Sequence, residues 1–503
     1  MEMDRRSFLK TSGVGLFGIM MENWMPKMKH THTPPFFWET HFKVTKEQME
    51  KILQTALSKG GEFAELFFEY RIANAIRMEE EIIKETSQSV QMGLGIRVIS
   101  GEQTGYAYTN DLSFQKMKET ALTAGAIANS LSKIKIADLR EKKCAHQVYD
   151  LSQGFDQLDL KEKIGLLQRA YTSAQQYDSR IVKIQAWLTD EMQYVTIANS
   201  EGLLISDVRP QVRLSVRATA EQERVRNTGF YSGGGRVGLA YFETQRTPET
   251  IGQKAAEEAV ILLSAIDPPA GDQPVVLASG DSGVMIHEAV GHPLEADANR
   301  KKTSIMWDKW NQQVASPLVT IYDDPTLLHF RGSLNIDDEG TIPQKTLLIE
   351  KGKLVGYLQD RLSAKLMGMT PTGHGRRENF ECIPIPRMCN TVLERGEANP
   401  EDIIRSVKKG FYAVSYQGGQ VQDSGKFTFS VNLGYLIEDG KLTFPVKNAT
   451  LIGTNVQILN EIEMIGNDMG FFLGTCGKEG QSVPVTAGTP TLKIRKMTVG
   501  GRV

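Results

Sequence analysis

The sequence predicts an α+β protein of two domains: a mixed N-terminal domain of sheets and helices, then a β-rich C-terminal domain carrying a metal helix. Three observations predict it. Capped helical segments alternate with strand-like segments as far as about residue 265. The run Ile266-Asp267-Pro268-Pro269-Ala270-Gly271-Asp272 then breaks the pattern. Short strands and turns dominate beyond it. The chain of 503 residues therefore divides into a leader and linker (1–40), an N-terminal domain (41–266) and a C-terminal domain (267–503).

The leader comes first. Arg5-Arg6-Ser7-Phe8-Leu9-Lys10 fits the twin-arginine export motif, and Thr11 to Met21 forms a short apolar stretch containing glycines. That stretch is too short to span a membrane and suits the hydrophobic part of a signal. The expectation is export of the folded chain to the periplasm. The alternative is a disordered basic leader on a cytoplasmic protein, because Glu22 interrupts early and no small-x-small cleavage site precedes Met25-Pro26.

In the N-terminal domain, Thr45 with Gln48 makes a capping box, with Met49, Ile52, Leu53, Ala56 and Leu57 on one helical face and Gly60 past the end. Leu94, Ile96 and Val98 alternate before a turn at Ser100-Gly101; Val212, Leu214, Val216 and Ala218 alternate with Arg213, Ser215, Arg217 and Thr219. Residues 113–129 and 159–175 read as helices, and Thr247-Pro248 opens another that runs to about Ala265. Gly233-Gly234-Gly235-Arg236 lacks the strand–GxxxxGK–helix context of a phosphate loop and reads as a flexible loop bordering a substrate path.

The C-terminal domain opens with Val275-Val276-Leu277 as a buried strand, Ser279-Gly280-Asp281-Ser282 as a turn and helix cap, and Val284-Met285-Ile286 as an apolar first turn. Then comes His287-Glu288-Ala289-Val290-Gly291-His292, and far downstream Gly474-Thr475-Cys476-Gly477-Lys478. Two imidazoles and a thiolate are a zinc ligand set with one position left open, and the adjacent Glu288 is placed to accept a proton from a water. In the common H-E-x-x-H motif the histidines are four apart, roughly 40° around a helix. Here they are five apart, roughly 140°, too far for one ion on a regular helix. They converge only if the helix carries an extra residue, as in a π-bulge, or breaks at Gly291, which lacks a Cβ to resist distortion. Taken alone, the motif also fits a buried helix with two histidines in ordinary hydrogen bonds. Glu295 and Asp297 follow within two turns and are candidates to accept the far ring N–H of a ligand, or are solvated surface acids.

The four cysteines, Cys144, Cys382, Cys389 and Cys476, lack the paired spacing of zinc knuckles or disulfide domains. Cys382 and Cys389 read as two separate small thiols rather than a disulfide.

Several blocks agree in order and spacing with one known family. Met285 through His287-Glu288-Ala289-Val290-Gly291-His292 to Leu294-Glu295, Arg331-Gly332-Ser333 with Ile336-Asp337-Asp338-Glu339-Gly340-Thr341, and Leu366 to Gly373 closely resemble the TldD/PmbA metallopeptidase family. So do Gly375-Arg376-Arg377-Glu378, Gly418-Gly419-Gln420-Val421, Ser424-Gly425-Lys426-Phe427 and the stretch from Cys476 to Gly501. The resemblance implies a zinc (Zn2+) peptidase with ligands His287, His292 and Cys476 and with Glu288 as general base, the TldD-type catalytic subunit. It also implies short or unfolded peptides as substrates, and a homodimer or a heterodimer with a TldE (PmbA-type) sister subunit. One departure is Pro293, where the TldD pattern has glycine; proline disfavours the α conformation at His292 and predicts a helix that ends or kinks there.

The alternative function is a non-catalytic assembly or binding subunit with a structural zinc, which needs a fourth protein ligand. His374, in Gly373-His374-Gly375, is the residue to suspect; otherwise it is an exposed turn residue. A net charge of −2, mixed charges and no apolar run of membrane-spanning length exclude an electrostatic nucleic-acid binder and a helical membrane span.

Overall fold

A computed structural model describes residues 37–127, 135–149, 151, 159–422 and 424–501. The leader expectation falls on residues outside these, apart from the last few of its linker.

Long strands dominate the N-terminal part: β1 (Phe63–Glu79), β2 (Ile82–Ser100), β3 (Gln103–Thr109), β4 (Arg140–Lys142), β5 (Ile181–Asn199), β6 (Leu203–Gln222) and β7 (Val225–Gly235). They form one sheet in the order β3-β2-β1-β5-β6-β4, with β7 also pairing β6. Among the described residues, four longer helices pack on it: α1 (Lys46–Ala56), α2 (Phe114–Gly125), α3 (Leu160–Gln175) and α4 (Pro248–Leu263). The capping box at Thr45 and Gln48 is present, and Met49, Ile52, Leu53 and Ala56 are buried on its inner face. Helices α3 and α4 share a core with the alternating residues Val212, Leu214, Val216 and Ala218 of β6. The β2 stretch behaves differently: residues 93–99 are buried on both faces, so strict alternation does not apply there.

Gly233-Gly234-Gly235 is not a loop. It ends β7 and pairs with Leu214, Arg213 and Val212 of β6. At Gly234 (φ 143°) a Cβ would stand 2.1 Å from the Val212 carbonyl oxygen, so the glycine there serves a close backbone approach within a sheet.

The C-terminal part contains β8 (Gly271–Leu277), β9 (Ile321–Asp323), β10 (Thr346–Glu350), β11 (Lys353–Leu354), β12 (Gly375–Arg376), β13 (Ile385–Pro386) and β14 (Asn390–Leu393). The chain continues through β15 (Lys409–Val421), β16 (Lys426–Glu438), β17 (Lys441–Thr454), β18 (Ile462–Ile465), β19 (Gly470–Lys478), β20 (Gln481–Thr489) and β21 (Leu492–Gly500). One six-stranded sheet runs β11-β10-β9-β14-β20-β19; a second runs β17-β16-β15-β8-β21-β18 and closes on itself through a β17–β21 pairing, and β12 pairs β13 apart from both. A single apolar core joins both sheets, and Val284, Met285, Ile286, Ala289 and Val290 of the motif segment lie inside it.

Buried ion pairs tie the N-terminal sheet to the C-terminal part. Arg97 pairs with Glu65 at 2.7 Å and Glu339 at 2.6 Å, Arg377 pairs with Glu65, and Arg209 pairs with Asp338. The Asp337-Asp338-Glu339 and Gly375-Arg376-Arg377 blocks thus brace the scaffold behind the site.

Candidate metal centre

The segment after β8 begins as a short helix, α5 (Gly283–Ile286), then widens into a π turn over His287–Gly291 and tightens into a 3-10 turn over His292–Leu294. The His292 N–H donates to the His287 carbonyl, five residues back. The extra residue of the π turn is what a five-residue spacing needs, and it lets both imidazoles face one point. Their rings stand edge to face with centroids 5.1 Å apart.

Two details differ from expectation. His292 keeps helical angles (φ −57°, ψ −46°) despite Pro293. The chain passes from a π turn to a 3-10 turn at this point without leaving the helical region. Gly291 is not a break either, at φ −58° and ψ −63°. Its role is space: a Cβ there would fall 1.7 Å from the Met388 Sδ. Ser282 does not cap the helix with its side chain; its hydroxyl meets the Tyr416 hydroxyl at 3.1 Å.

Strand β19 brings the third residue. Cys476 is buried, with its Sγ 3.3 Å from His292 Nε2. One donor atom each from His287, His292 and Cys476 lies within 4.8 Å of the others. Neighbouring donors around a tetrahedral zinc are roughly 3.3–3.8 Å apart given the usual bond lengths, so the gap fits one ion. His287 Nδ1 is buried without a hydrogen-bond partner. Glu288 is half-buried at the rim, 4.0 Å from His292 Nε2.

The electrostatics favour a thiolate facing positive charge. Burial opposes ionisation of Cys476, yet the imidazoles, His287 foremost, hold its thiol down to about 4. Burial pushes the Glu288 carboxyl above its ordinary range, with the imidazoles pulling the other way. His292 Nδ1 meets Glu295 Oε2 at 3.0 Å, as one of the two acids downstream should. Glu295 is held down to about 2, against its burial, by His292, Lys478 and Arg387. Asp297 instead accepts from Lys478 Nζ at 2.7 Å. Lys478 also lies 3.1 Å from Glu295, and Arg387 donates to the Cys476 carbonyl at 2.5 Å. These two cations pin β19 and the histidine's carboxylate together; no sequence motif announced them, although Lys478 sits two residues from Cys476 on the same strand.

His374 is neither exposed nor part of this cluster. It is fully buried, with Nε2 3.0 Å from Asp323 Oδ1 and Nδ1 2.9 Å from the Thr372 hydroxyl. Asp323, His374 and Cys389 form a second compact group, but Asp323 already accepts from Cys389 N, Asn390 N and the Thr391 hydroxyl. Burial pushes the Cys389 thiol up, away from the thiolate a metal takes. That group is a hydrogen-bonded knot joining β9 to β14. All four cysteines are free thiols.

Two imidazoles and a thiol around a one-ion gap, with a carboxylate at its rim, form a candidate metal centre, and relatives named as metalloproteases set the class: a metallopeptidase. More particularly, the chain belongs to the PmbA/TldD metallopeptidase family. Models described as PmbA/TldA metallopeptidase domain 1, central domain and C-terminal domain match residues 64–128, 154–263 and 270–501. The chain is 41% identical over 452 residues to the metalloprotease TldD homolog of Haemophilus influenzae, covering 88% of this chain and 93% of that one. It is 39% identical to the metalloprotease TldD homolog of Buchnera aphidicola from Acyrthosiphon pisum, covering 92% and 97%. The zinc metalloprotease TldD homolog of Saccharolobus solfataricus is 28% identical, covering 90% and 100%. In fold, the chain matches the crystal structure of TldE from Thermococcus kodakarensis with a TM-score of 0.71 at 19% identity, over 90% of this chain and 100% of that one. A Thermotoga maritima protein described as a proposed modulator of DNA gyrase matches with a TM-score of 0.75 at 23% identity, over 91% and 100%. Among the described residues, no helix is long and apolar enough to cross a membrane.

Proposed function

We propose that the chain is the TldD-type catalytic subunit of a zinc peptidase that hydrolyses short or unfolded peptides. The observation that carries this reading is the convergence of His287, His292 and Cys476 on one gap, with a thiolate held ionised and Glu288 at the rim. The donor set suits zinc. When bound, zinc would polarise the scissile carbonyl and make water more acidic.

The chain's own residues do the rest. Glu295 fixes the orientation of His292 by holding its Nδ1 proton, leaving Nε2 toward Cys476. Burial makes Glu288 more basic than an exposed carboxylate, so it accepts a proton from water and delivers it to the leaving amine. Strand β19 ends its sheet, so an extended peptide can pair along that edge beside Cys476 with little selection among side chains. A TldE-like sister subunit is the preferred partner and a second copy the fallback, either one enclosing the site. Export by Arg5-Arg6 would deliver the assembled enzyme to the periplasm.

The test is Glu288→Gln. It preserves shape, so zinc content stays at about one per chain while cleavage of a mixture of short peptides falls by roughly two to four orders of magnitude. Undiminished cleavage would assign the base elsewhere. A wild-type chain that holds zinc yet cleaves nothing, alone or with a TldE-like partner, would favour a binding subunit.

A further inference from the structure

A cavity of about 640 Å³ lies between β1, β2, β5 and β6 of the N-terminal sheet and the β19–β20 hairpin. Thr475, the residue before Cys476, lines it together with the facing Pro484 of β20. Side chains alternate along a strand, so Thr475 turns to the cavity where Cys476 turns to the imidazoles, about 3.3 Å away along the backbone. The alternation read in β6 has the same outcome: Arg213, Ser215 and Arg217 face the cavity while Val212, Leu214 and Val216 are buried in the core.

The charge of this cavity is lopsided, with eight arginines against four carboxylates. The four acids are already engaged. Asp190 takes Lys163 at 2.8 Å, Glu191 takes Arg71, Asp338 takes Arg209, and Glu378 accepts from the Ser482 N–H at 2.7 Å. Among the described residues, five of the eight, Arg213, Arg217, Arg236, Arg331 and Arg376, have no carboxylate partner; Arg217 is exposed, and Arg376 donates to the Met388 carbonyl and, at 2.9 Å, to the Pro484 carbonyl. Arg213 reaches the Ser232 hydroxyl at 3.2 Å and the Leu473 carbonyl at 3.4 Å, Arg236 the Pro210 carbonyl at 3.5 Å, and Arg331 the Gly474 carbonyl at 3.2 Å. With its amide oxygen turned inward, Gln211 adds acceptors at 2.9 and 3.0 Å for Arg331. Burial, with Arg213 and Arg236 beside it, pushes the Arg331 guanidinium down to about 9.

Other buried arginines of this chain are paired: Arg97, outside the cavity, with two glutamates, and Arg209, in the cavity wall, with two aspartates. Uncompensated buried cations are costly, and a site that gathers Arg236, Arg331 and Arg376 buried, with Arg213 half-buried beside them, is built for an anion that arrives later. Guanidinium forks match planar carboxylates, and the volume suits several residues of peptide rather than a lone inorganic ion.

We propose that this cavity is a recognition subsite for a carboxylate of the bound peptide, contributed by the chain end or by an acidic side chain. The proposal rests on the peptidase reading for the identity of the ligand, while the charge imbalance stands without it.

The test is calorimetric titration of the whole chain with three probes: N-acetyl-Ala-Ala, its C-terminal amide, and N-acetyl-Glu-Ala amide. Each is run with zinc loaded and after chelation, which separates the cavity from direct carboxylate ligation by the metal. At least one carboxylate probe should bind about tenfold or more tightly than the neutral amide in both states, the scale of one charge-assisted hydrogen bond. Preference for the free acid identifies the chain end; preference for the glutamyl probe identifies a side chain. Arg331→Met should shrink the gap to near unity and leave the neutral amide unchanged. Arg213→Gln, at a half-buried site, repeats the test should Arg331→Met fold poorly. Equal affinity for all three probes, or a gap surviving both substitutions, would overturn the proposal. Peptides cleaved equally well as acid or amide, with no binding gap, would sink the subsite and leave the peptidase standing. A binding gap without any cleavage would do the reverse.

Discussion

Gly291→Ala is a one-methyl test of how the motif is held. The new Cβ would lie 1.7 Å from Met388 Sδ, 2.9 Å from Cγ and 3.0 Å from Cε. Met388 is fully buried in the core around the π turn, so its side chain has no open space to move into. Overpacking of this kind costs about 1–3 kcal/mol. Alanine recovers about 0.5–1 kcal/mol of backbone entropy at a helical position, so the net loss should be about 1–2 kcal/mol. His292 is the next residue, so the strain should also weaken zinc binding. Urea unfolding of the metal-free protein gives the first quantity, and competition with a chromogenic chelator gives the second. In a Met388→Ala background, itself about 2–5 kcal/mol less stable, the added methyl should be neutral or helpful. An unchanged Gly291→Ala protein, or a penalty of the same size in both backgrounds, would refute the steric account.

Three further outcomes are expected. Cys476→Ser, His287→Ala or His292→Ala should each lower zinc occupancy sharply by elemental analysis; stoichiometric zinc in Cys476→Ser would remove that residue from the site. Glu295 is held at about 2, below its ordinary 4.5, so in the metal-free protein its contribution is complete above about pH 4.5 and fades as pH falls toward 2. Glu295→Gln should flatten that acid limb of a stability-versus-pH curve, and an unaltered limb would show that the carboxylate is not what stabilises it. Replacing Arg5-Arg6 by Lys-Lys should leave the protein in the cytoplasmic fraction, and an unchanged distribution would reduce the leader to a tail.

Much of this was legible in the sequence because it is periodic or local. Capping at Thr45, the inner face of α1 and the apolar side of β6 follow from repeats of 3.6 and 2 residues. The five-residue spacing demanded an irregular helix, and a π turn is what forms. What the sequence hid is long-range. The triple glycine looked like a flexible loop because its reason, the Val212 carbonyl across a strand pair, is remote in sequence. His374 was suspected as a ligand or an exposed turn because its partner Asp323 lies 51 residues away. The partners of Arg387 and of Lys478, which closes the Gly474–Lys478 block, are not legible in the sequence, since a cation says nothing until the acid it faces is known. The alternation in β6 puts Arg213 and Arg217 on one face, but only the hairpin packed over that face, remote in sequence, turns it into a cavity.

The ring that closes the second C-terminal sheet has a consequence for the order of events during synthesis. β21 pairs with β8, and the metal-motif segment begins just past the end of β8. Cys476 follows His292 by 184 residues. A nascent chain that has emitted both histidines therefore has neither the thiolate nor the strand that anchors their segment, and contacts of such sequence separation form slowly. Metal capture should then be a late, nearly post-translational event. On the proposed ligand set, a product truncated before Cys476 would lack one ligand and the closing strand β21, a fold-level safeguard against a prematurely active peptidase.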